Sequence, residues 1–235
     1  MIAPIWKQLP SGRMVDLMGP TPSDIDFSGD VAPALANIAR FDGSCAARPG
    51  RPWTVLDHSV DGADLLRAEG QPERMGLLFL LHDAHEYVLG DISSPLALAL
   101  AATATRQFPM QGHPAGHYIT CAIASLKHAW DKAIHAAAGI AMPTTAEAAI
   151  LKRHDLRMLV TERNHMMAQP WRSWGPLETM PPLRMTGKLK PGPAEQRITT
   201  FLSRLDAWAP NARPRAAPGA LASLTPITSA KGARA

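Results

Sequence analysis

The stretch LLFLLHDAHEYVLGD, residues 77 to 91, constrains this chain more than any other. Five consecutive apolar side chains commit the segment to an interior, and His82, Asp83 and Glu86 stand at the end of that run. An ionised Asp at the end of a buried helix costs several kcal/mol of solvation unless it is paired or bound to a metal. Any fold adopted by the chain must therefore bring Asp83 a partner. At about 100° per residue, Glu86 falls between His82 and Asp83 around the helix axis, so all three project from one sector.

Helical periodicity dominates the rest of the chain, and no run alternates convincingly enough to be a strand, which predicts an all-α fold. Helices are expected over about 28–40, 54–68, 72–89, 117–138, 144–168 and 194–209, with a short one near Pro95. Pro33 is tolerable because it sits near a helix start. Thr54 with Asp57 three positions later forms a variant capping box, and Gly90 ends the helix that carries the opening motif. The proline-rich stretch after Ala168 is expected to be extended and packed by Trp171 and Trp174.

The His-Asp doublet alone proves little, since chance produces it readily in such a composition and His154-Asp155 is a second instance. Context supplies the specificity. Helix 54–68 carries His58 on the stripe of Val55, Gly62 and Leu65, and helix 144–168 carries Asp155 with Leu151, Met158, Leu159 and Glu162 on its apolar face. Three helices thus offer His58, His82, Asp83 and Asp155 to a common centre. Two imidazoles and two carboxylates suit a divalent transition metal with positions left open for water or a substrate oxygen. Glu162 faces inward and is expected to pair with a core arginine. His85 is read as a pocket-edge or surface residue and His154 as structural. His113 and His117 have zinc-like spacing, but Pro114 and Gly116 spoil the helix such a pair needs.

The order His, His-Asp, Asp, with the local patterns WTVLDHSV, LLHDAHEYVLGDISSPL and HDLRMLVTER, resembles the HD-domain metal-dependent phosphohydrolases. Within them it is similar to the branch of 5′-deoxynucleotidases and small phage deoxynucleoside triphosphohydrolases, over about residues 12–168. The resemblance implies an HD-domain helical bundle as residues 1–168, followed by a Pro/Trp-rich extension with a last helix over 169–209. It implies that His58, His82, Asp83 and Asp155 bind a divalent ion (zinc, cobalt, manganese, iron or magnesium). It also implies that Glu86 is the catalytic acid that orients or activates water, that Asp91 helps hold the water or a second ion, and that Arg40 contacts phosphate. Where many relatives continue with GGH, this chain has DGSC at 42–45 and then the insertion AARPGRP, whose Arg48 and Arg51 are placed where extra phosphates could lie. The implied substrate is a deoxynucleotide, with dATP cleaved to deoxyadenosine and triphosphate favoured and phosphate release from a deoxynucleoside monophosphate as the alternative. A non-catalytic nucleotide sensor and a cyclic-nucleotide or guanosine-tetraphosphate hydrolase also remain open. The resemblance further implies a homo-oligomer.

Charge and composition exclude other classes. The formal charge of +4 lies in the terminal stretch 210–235, where Arg213, Arg215, Lys231 and Arg234 meet no acid; the remainder balances 20 basic against 20 acidic residues. That tail is expected to be disordered, and no nucleic-acid partner is expected. No apolar run is long enough to span a bilayer, and the N-terminal stretch lacks the pattern of a signal peptide, so no membrane association and a cytoplasmic location, the host cytoplasm if phage-encoded, are expected. Cys45 and Cys121 form neither a zinc ribbon nor a disulfide framework.

Overall fold

Two capping boxes start the helices that carry most of the centre. The computed structural model describes residues 3–45 and 51–209; the basic tail and Arg48 lie outside them. Thr54 Oγ1 accepts the Asp57 N–H while the Asp57 carboxylate accepts the Thr54 N–H, which fixes the start of α2 over Val55–Ala68. Thr144 and Glu147 do the same for α7 over Thr145–Met166. Each box satisfies two N–H groups that a helix start leaves without partners.

The protein is mostly helical, as its periodicity predicts. Besides α2 and α7 it contains α1 (Ala32–Leu35), α3 (Glu73–Leu81), α4 (Glu86–Leu89), α5 (Ser94–Gln107), α6 (Ala115–Ala137) and α8 (Ala194–Trp208). A small hairpin escaped the sequence reading: β1 (Trp6–Gln8) pairs antiparallel with β2 (Met14–Asp16), with Lys7 opposite Val15. Within these three-residue strands Val15 is the buried position, so no alternation is long enough to register.

Two predicted helices break where the candidate site residues lie. The one expected over 28–40 is a π turn at Phe27–Val31 followed by α1, after which the chain extends, bridges Ala39 to Thr54 and turns again at Arg40–Gly43. The one expected over 72–89 splits into α3 and α4, with His82, Asp83, Ala84 and His85 between them. Phe79 O accepts both the backbone N–H and the ring Nδ1–H of His82, and the following bonds run i to i+3, so the turn is tightened.

Helices α2, α3 and α8 enclose the core with α1 and α6. Phe79, Leu80, Leu81, Trp130, Ile134, Phe201 and Leu205 are fully buried there. The last helix is thus part of the same core as the His-Asp helix. Gly62 allows this close approach: a Cβ there would lie 2.2 Å from the Phe79 ring, so Phe79 occupies the room beside His58. The extended segment is held by Leu183 and Leu189, which join Trp53, Met158 and Met166, and by Leu183 N–H donating to Thr161 Oγ1 at 2.8 Å. Its tryptophans do less than predicted. Trp171 is 87% exposed, while Trp174 rests against the Arg163 guanidinium at 5.2 Å.

Candidate metal centre

Two helices and the α3–α4 turn bring four donor atoms to one point. His58 Nε2, from the first turns of α2, lies 3.3 Å from His82 Nε2, 3.8 Å from Asp83 Oδ2 and 3.6 Å from Asp155 Oδ1. His82 Nε2 lies 3.1 Å from Asp83 Oδ2 and 3.8 Å from Asp155 Oδ1. Nitrogen and oxygen ligands held about 2.1 Å from one ion sit roughly 3.0 to 3.4 Å apart in octahedral or tetrahedral geometry. The observed spread overlaps that range.

The imidazoles are aimed from behind. His58 Nδ1 donates to Glu162 Oε1 at 2.7 Å, and His82 Nδ1 donates to the Phe79 carbonyl at 2.6 Å. With each Nδ1–H engaged, each Nε2 is directed at the two carboxylates, the arrangement that orients histidine on a metal. Phe79 fixes the ring planes, its centroid 5.4 Å from His58 and 4.3 Å from His82. Glu162 also accepts from Trp53 Nε1 at 2.8 Å and pairs with Arg40 Nη2 at 3.2 Å. Burial alone would raise its pKa, but Arg40 and His58 outweigh burial and hold it low.

The cluster demands positive charge. Burial by itself would lower the His82 pKa, yet Asp83 and Asp155 overcome it and hold that pKa well above the usual value. Burial likewise pushes Asp83 and Asp155 up, and His82 more than reverses it in both, so each stays ionised. A proton on His82 thus stands where a cation would. The donor set fits a divalent ion: its atoms converge, its second nitrogens are held, and its carboxylates are charged.

Glu86 and His85 sit beside this set and are both 4% exposed. Burial, then the Asp83 and Asp91 charges, push the Glu86 carboxyl up to about 9. His85 Nδ1 is 2.8 Å from Asp131 Oδ1 on α6. Its burial rules out the surface alternative in the reading of His85 as a pocket-edge or surface residue. Asp91 follows Gly90, whose φ of 81° turns the chain, and it lies within electrostatic range of Arg40, Asp83 and Lys127. Burial is the largest cause that raises its pKa.

Arg40 reaches the centre directly, with Nη1 3.4 Å from Asp83 Oδ2. Burial opposes its charge, but Glu162, Asp83 and Asp155 raise its pKa and keep it cationic. The two residues after it, Phe41 and Asp42, hold left-handed φ of 56° and 52°, which costs about 1–2 kcal/mol each for residues with a Cβ. Such strain clusters at ligand clamps and active sites.

Arg51, expected near extra phosphates, is engaged within the fold. Its Nη2 donates to both Asp57 oxygens at 2.8 and 2.7 Å, Nη1 to Thr54 Oγ1 and the Ala36 carbonyl, and Nε to the Gly192 carbonyl. A guanidinium so occupied ties the loop to the start of α2, to the end of α1 and to the segment before α8, with all five N–H groups engaged. His154, as expected, is structural, its Nε2 donating to Gly62 O at 2.9 Å. Sequence reasoning paired Glu162 with an arginine but missed its bond to His58, and it missed Asp131 and Lys127 altogether. Asp131 was detectable as an acid next to the inward-facing Trp130.

Comparison with known proteins adds little to this geometry. No family model matches the chain. Over 97 residues it is 42% identical to an uncharacterized protein of Rhodobacter capsulatus, a match covering 40% of this chain and 48% of that one. The matched part spans about half the length of that curated relative.

Proposed function

We propose that the chain is an HD-domain-type phosphohydrolase that uses a divalent metal ion to cleave deoxynucleotides. One observation carries the reading: two imidazoles with their Nδ1–H groups held from behind place their Nε2 atoms 3.3 Å apart and each 3.1–3.8 Å from an oxygen of both Asp83 and Asp155. His58, His82, Asp83 and Asp155 would hold the ion. Bound there, a divalent ion supplies Lewis acidity, polarising a phosphoryl oxygen and lowering the pKa of a water.

The other groups divide the remaining work. Glu86 orients the attacking water and accepts its proton. In the chain alone burial and the Asp83 charge keep its pKa near 9, so it holds a proton at neutral pH; the form without that proton is the one that accepts a proton from water. The Arg40 guanidinium, 3.4 Å from Asp83, offsets the charge with which the acids would repel phosphate. Asp91 holds solvent or substrate at the outer edge.

Two outcomes of the reaction are proposed. The compact core resembles that of the enzymes that release triphosphate from dATP. The engagement of Arg51 by Asp57 removes one support for a longer phosphate tail, which favours the second reading, phosphate release from a deoxynucleoside monophosphate. A homo-oligomer fits the exposed apolar side chains Leu96, Leu98 and Leu100 of α5. As for membranes, no single helix among the described residues is long and apolar enough to cross one.

Product analysis tests the proposal: metal-loaded protein is incubated with the four deoxynucleoside triphosphates and, separately, the four monophosphates. Triphosphate plus deoxynucleoside supports the first outcome and inorganic phosphate from monophosphates the second. Glu86→Gln is expected to lower turnover at least 100-fold, a loss at the low end of general acid–base contributions, while leaving the ion on His58, His82, Asp83 and Asp155 in place. No turnover of either set by the wild type would refute it.

A further inference from the structure

Pro114 and Gly116, expected to spoil a helix at His113 and His117, instead start one. Pro114 stands at the N-cap of α6, and its carbonyl accepts the His117 N–H at 2.9 Å. Gly116 lies in the first turn, where a Cβ would collide with the Ala101 carbonyl oxygen of α5, and its N–H donates to Thr105 Oγ1 at 3.1 Å. This close approach clamps the start of α6 to α5 and leaves its outer face to solvent. On that face His117 and Cys121 stand one turn apart, and both are exposed. Cys121 Sγ lies 3.5 Å from His117 Nε2. A thiolate at about 2.3 Å and an imidazole nitrogen at about 2.0–2.1 Å from one tetrahedral zinc are roughly 3.5–3.6 Å apart. The two donors already have the separation of a chelating pair. His113, exposed in the loop before α6, stacks its ring on His117 with centroids 4.6 Å apart, against 5.2 Å for His58 and His82. A rotation off that stack brings a second imidazole to the same point.

We propose that His113, His117 and Cys121 form a surface site for a thiolate-preferring divalent ion, zinc foremost, with the fourth position left to water. The donor set chooses the metal. Magnesium and manganese favour oxygen ligands, whereas zinc takes mixed sulfur and nitrogen. No Asp or Glu occurs between Asp91 and Asp131, so within the α5–α6 hairpin only the thiol can supply an anionic ligand. As the metal–sulfur bond forms, the thiol releases its proton to solvent. The bound ion staples the loop between the two helices onto the first turns of α6. The site is separate from the proposed metal centre: Asp131, through which α6 reaches His85, lies ten residues beyond Cys121, about 15 Å along the helix axis. The inference stands whatever the activity of that centre.

Cobalt reads the sulfur directly, because Co2+ takes the place of zinc and its bond to a thiolate gives a near-ultraviolet charge-transfer band that nitrogen and oxygen ligands do not give. The full chain, kept reduced with a phosphine and stripped with chelator, is titrated with Co2+ and then with Zn2+, with circular dichroism to verify the fold. The wild type is expected to develop the band and to lose it as Zn2+, the tighter binder, displaces Co2+. Cys121→Ser should abolish the band, and so should His117→Gln. His113→Gln should weaken Co2+ binding about 10-fold, the least that loss of a metal-orienting group costs. Cys45→Ser and Asp155→Ala should leave the band unchanged, since the proposed centre contains no sulfur. No band in the folded wild type would overturn the site, and is the result given by a thiol that only hydrogen-bonds to His117. A band that survives Cys121→Ser, or one untouched by either histidine substitution, would overturn it as well.

Discussion

Helix α2 handles buried charge in opposite ways on its two sides. On one side Asp57, Asp61 and Asp64 meet Arg51, Arg197 and Arg204, with Arg197 Nε 2.9 Å from Asp57 and Arg204 Nε 2.8 Å from Asp64. Acid and base match one for one, and the result ties the loop before α2 and the helix α8 to the core. On the other side His58 enters a group in which Asp83, Glu86, Asp155 and Glu162 share the Arg40 guanidinium. Three of these carboxyls are ionised with one fixed guanidinium between them, and the rest of their charge is met by a proton on His82 and by the exposed Lys152, 2.9 Å from Asp155 Oδ2. Charge matched by fixed partners secures structure, whereas charge left unmatched by fixed partners and balanced by a replaceable proton keeps a place for a cation.

The largest effect is expected on the matched side. Asp57 is fully buried and serves Thr54, Arg51 and Arg197 together. Asp57→Asn leaves two guanidinium groups short of their counter-charge and should cost about 3–5 kcal/mol. Thermal unfolding with and without chelator measures it, and the loss should be the same in both. A loss that shrinks when metal is removed would mean that the two sides of α2 are coupled, and the contrast would fail.

The same contrast explains what the sequence could and could not reveal. The helical class, the start of α2 at Thr54 and the convergence of His58, His82, Asp83 and Asp155 follow from local rules: capping chemistry, helical period and the cost of burying a charge. The split of the helix at His82 does not, because it depends on the His82 ring reaching back to the Phe79 carbonyl. For Arg51 the sequence shows a cation near a motif but not the Asp57 carboxylate that engages it. Asp131 lies 46 residues from His85, and only packing of α6 against the turn brings them together. Partners chosen by tertiary packing leave no short-range trace.

A smaller effect, confined to the unmatched side, should come from Glu162. Its carboxylate orients His58 from the Nδ1 side, away from the Nε2 that faces Asp83 and Asp155, and it balances Arg40. Glu162→Gln keeps the shape and an oxygen acceptor but loses the charge that strengthens the His58 nitrogen. Affinity for the proposed metal ion should fall about 10- to 100-fold, or roughly 1.4–2.7 kcal/mol, in a competition titration against a chelator of known strength. Asp61→Asn, on the opposite side of the same helix, should leave that affinity unchanged. Equal losses in both variants would show that α2 transmits strain rather than separating two functions.

The smallest effect tests how far matched charge matters at all. Arg204 and Asp64 are well aligned, yet their side chains are 40% and 39% exposed. Water screens such a pair and holding two long side chains costs entropy, so the net contribution is about 0–1 kcal/mol. Arg204 also lies over the Trp208 ring at 5.7 Å, a contact of the same modest order at an exposed site. Arg204→Ala should therefore shift the unfolding midpoint by only a few degrees, the shift should diminish with added salt, and metal affinity should not change. A loss as large as that of Asp57→Asn would mean that alignment, not burial, sets the strength of this ladder. The difference between its ends would then disappear, because burial is what separates Asp57 from Asp64 on the same face of one helix.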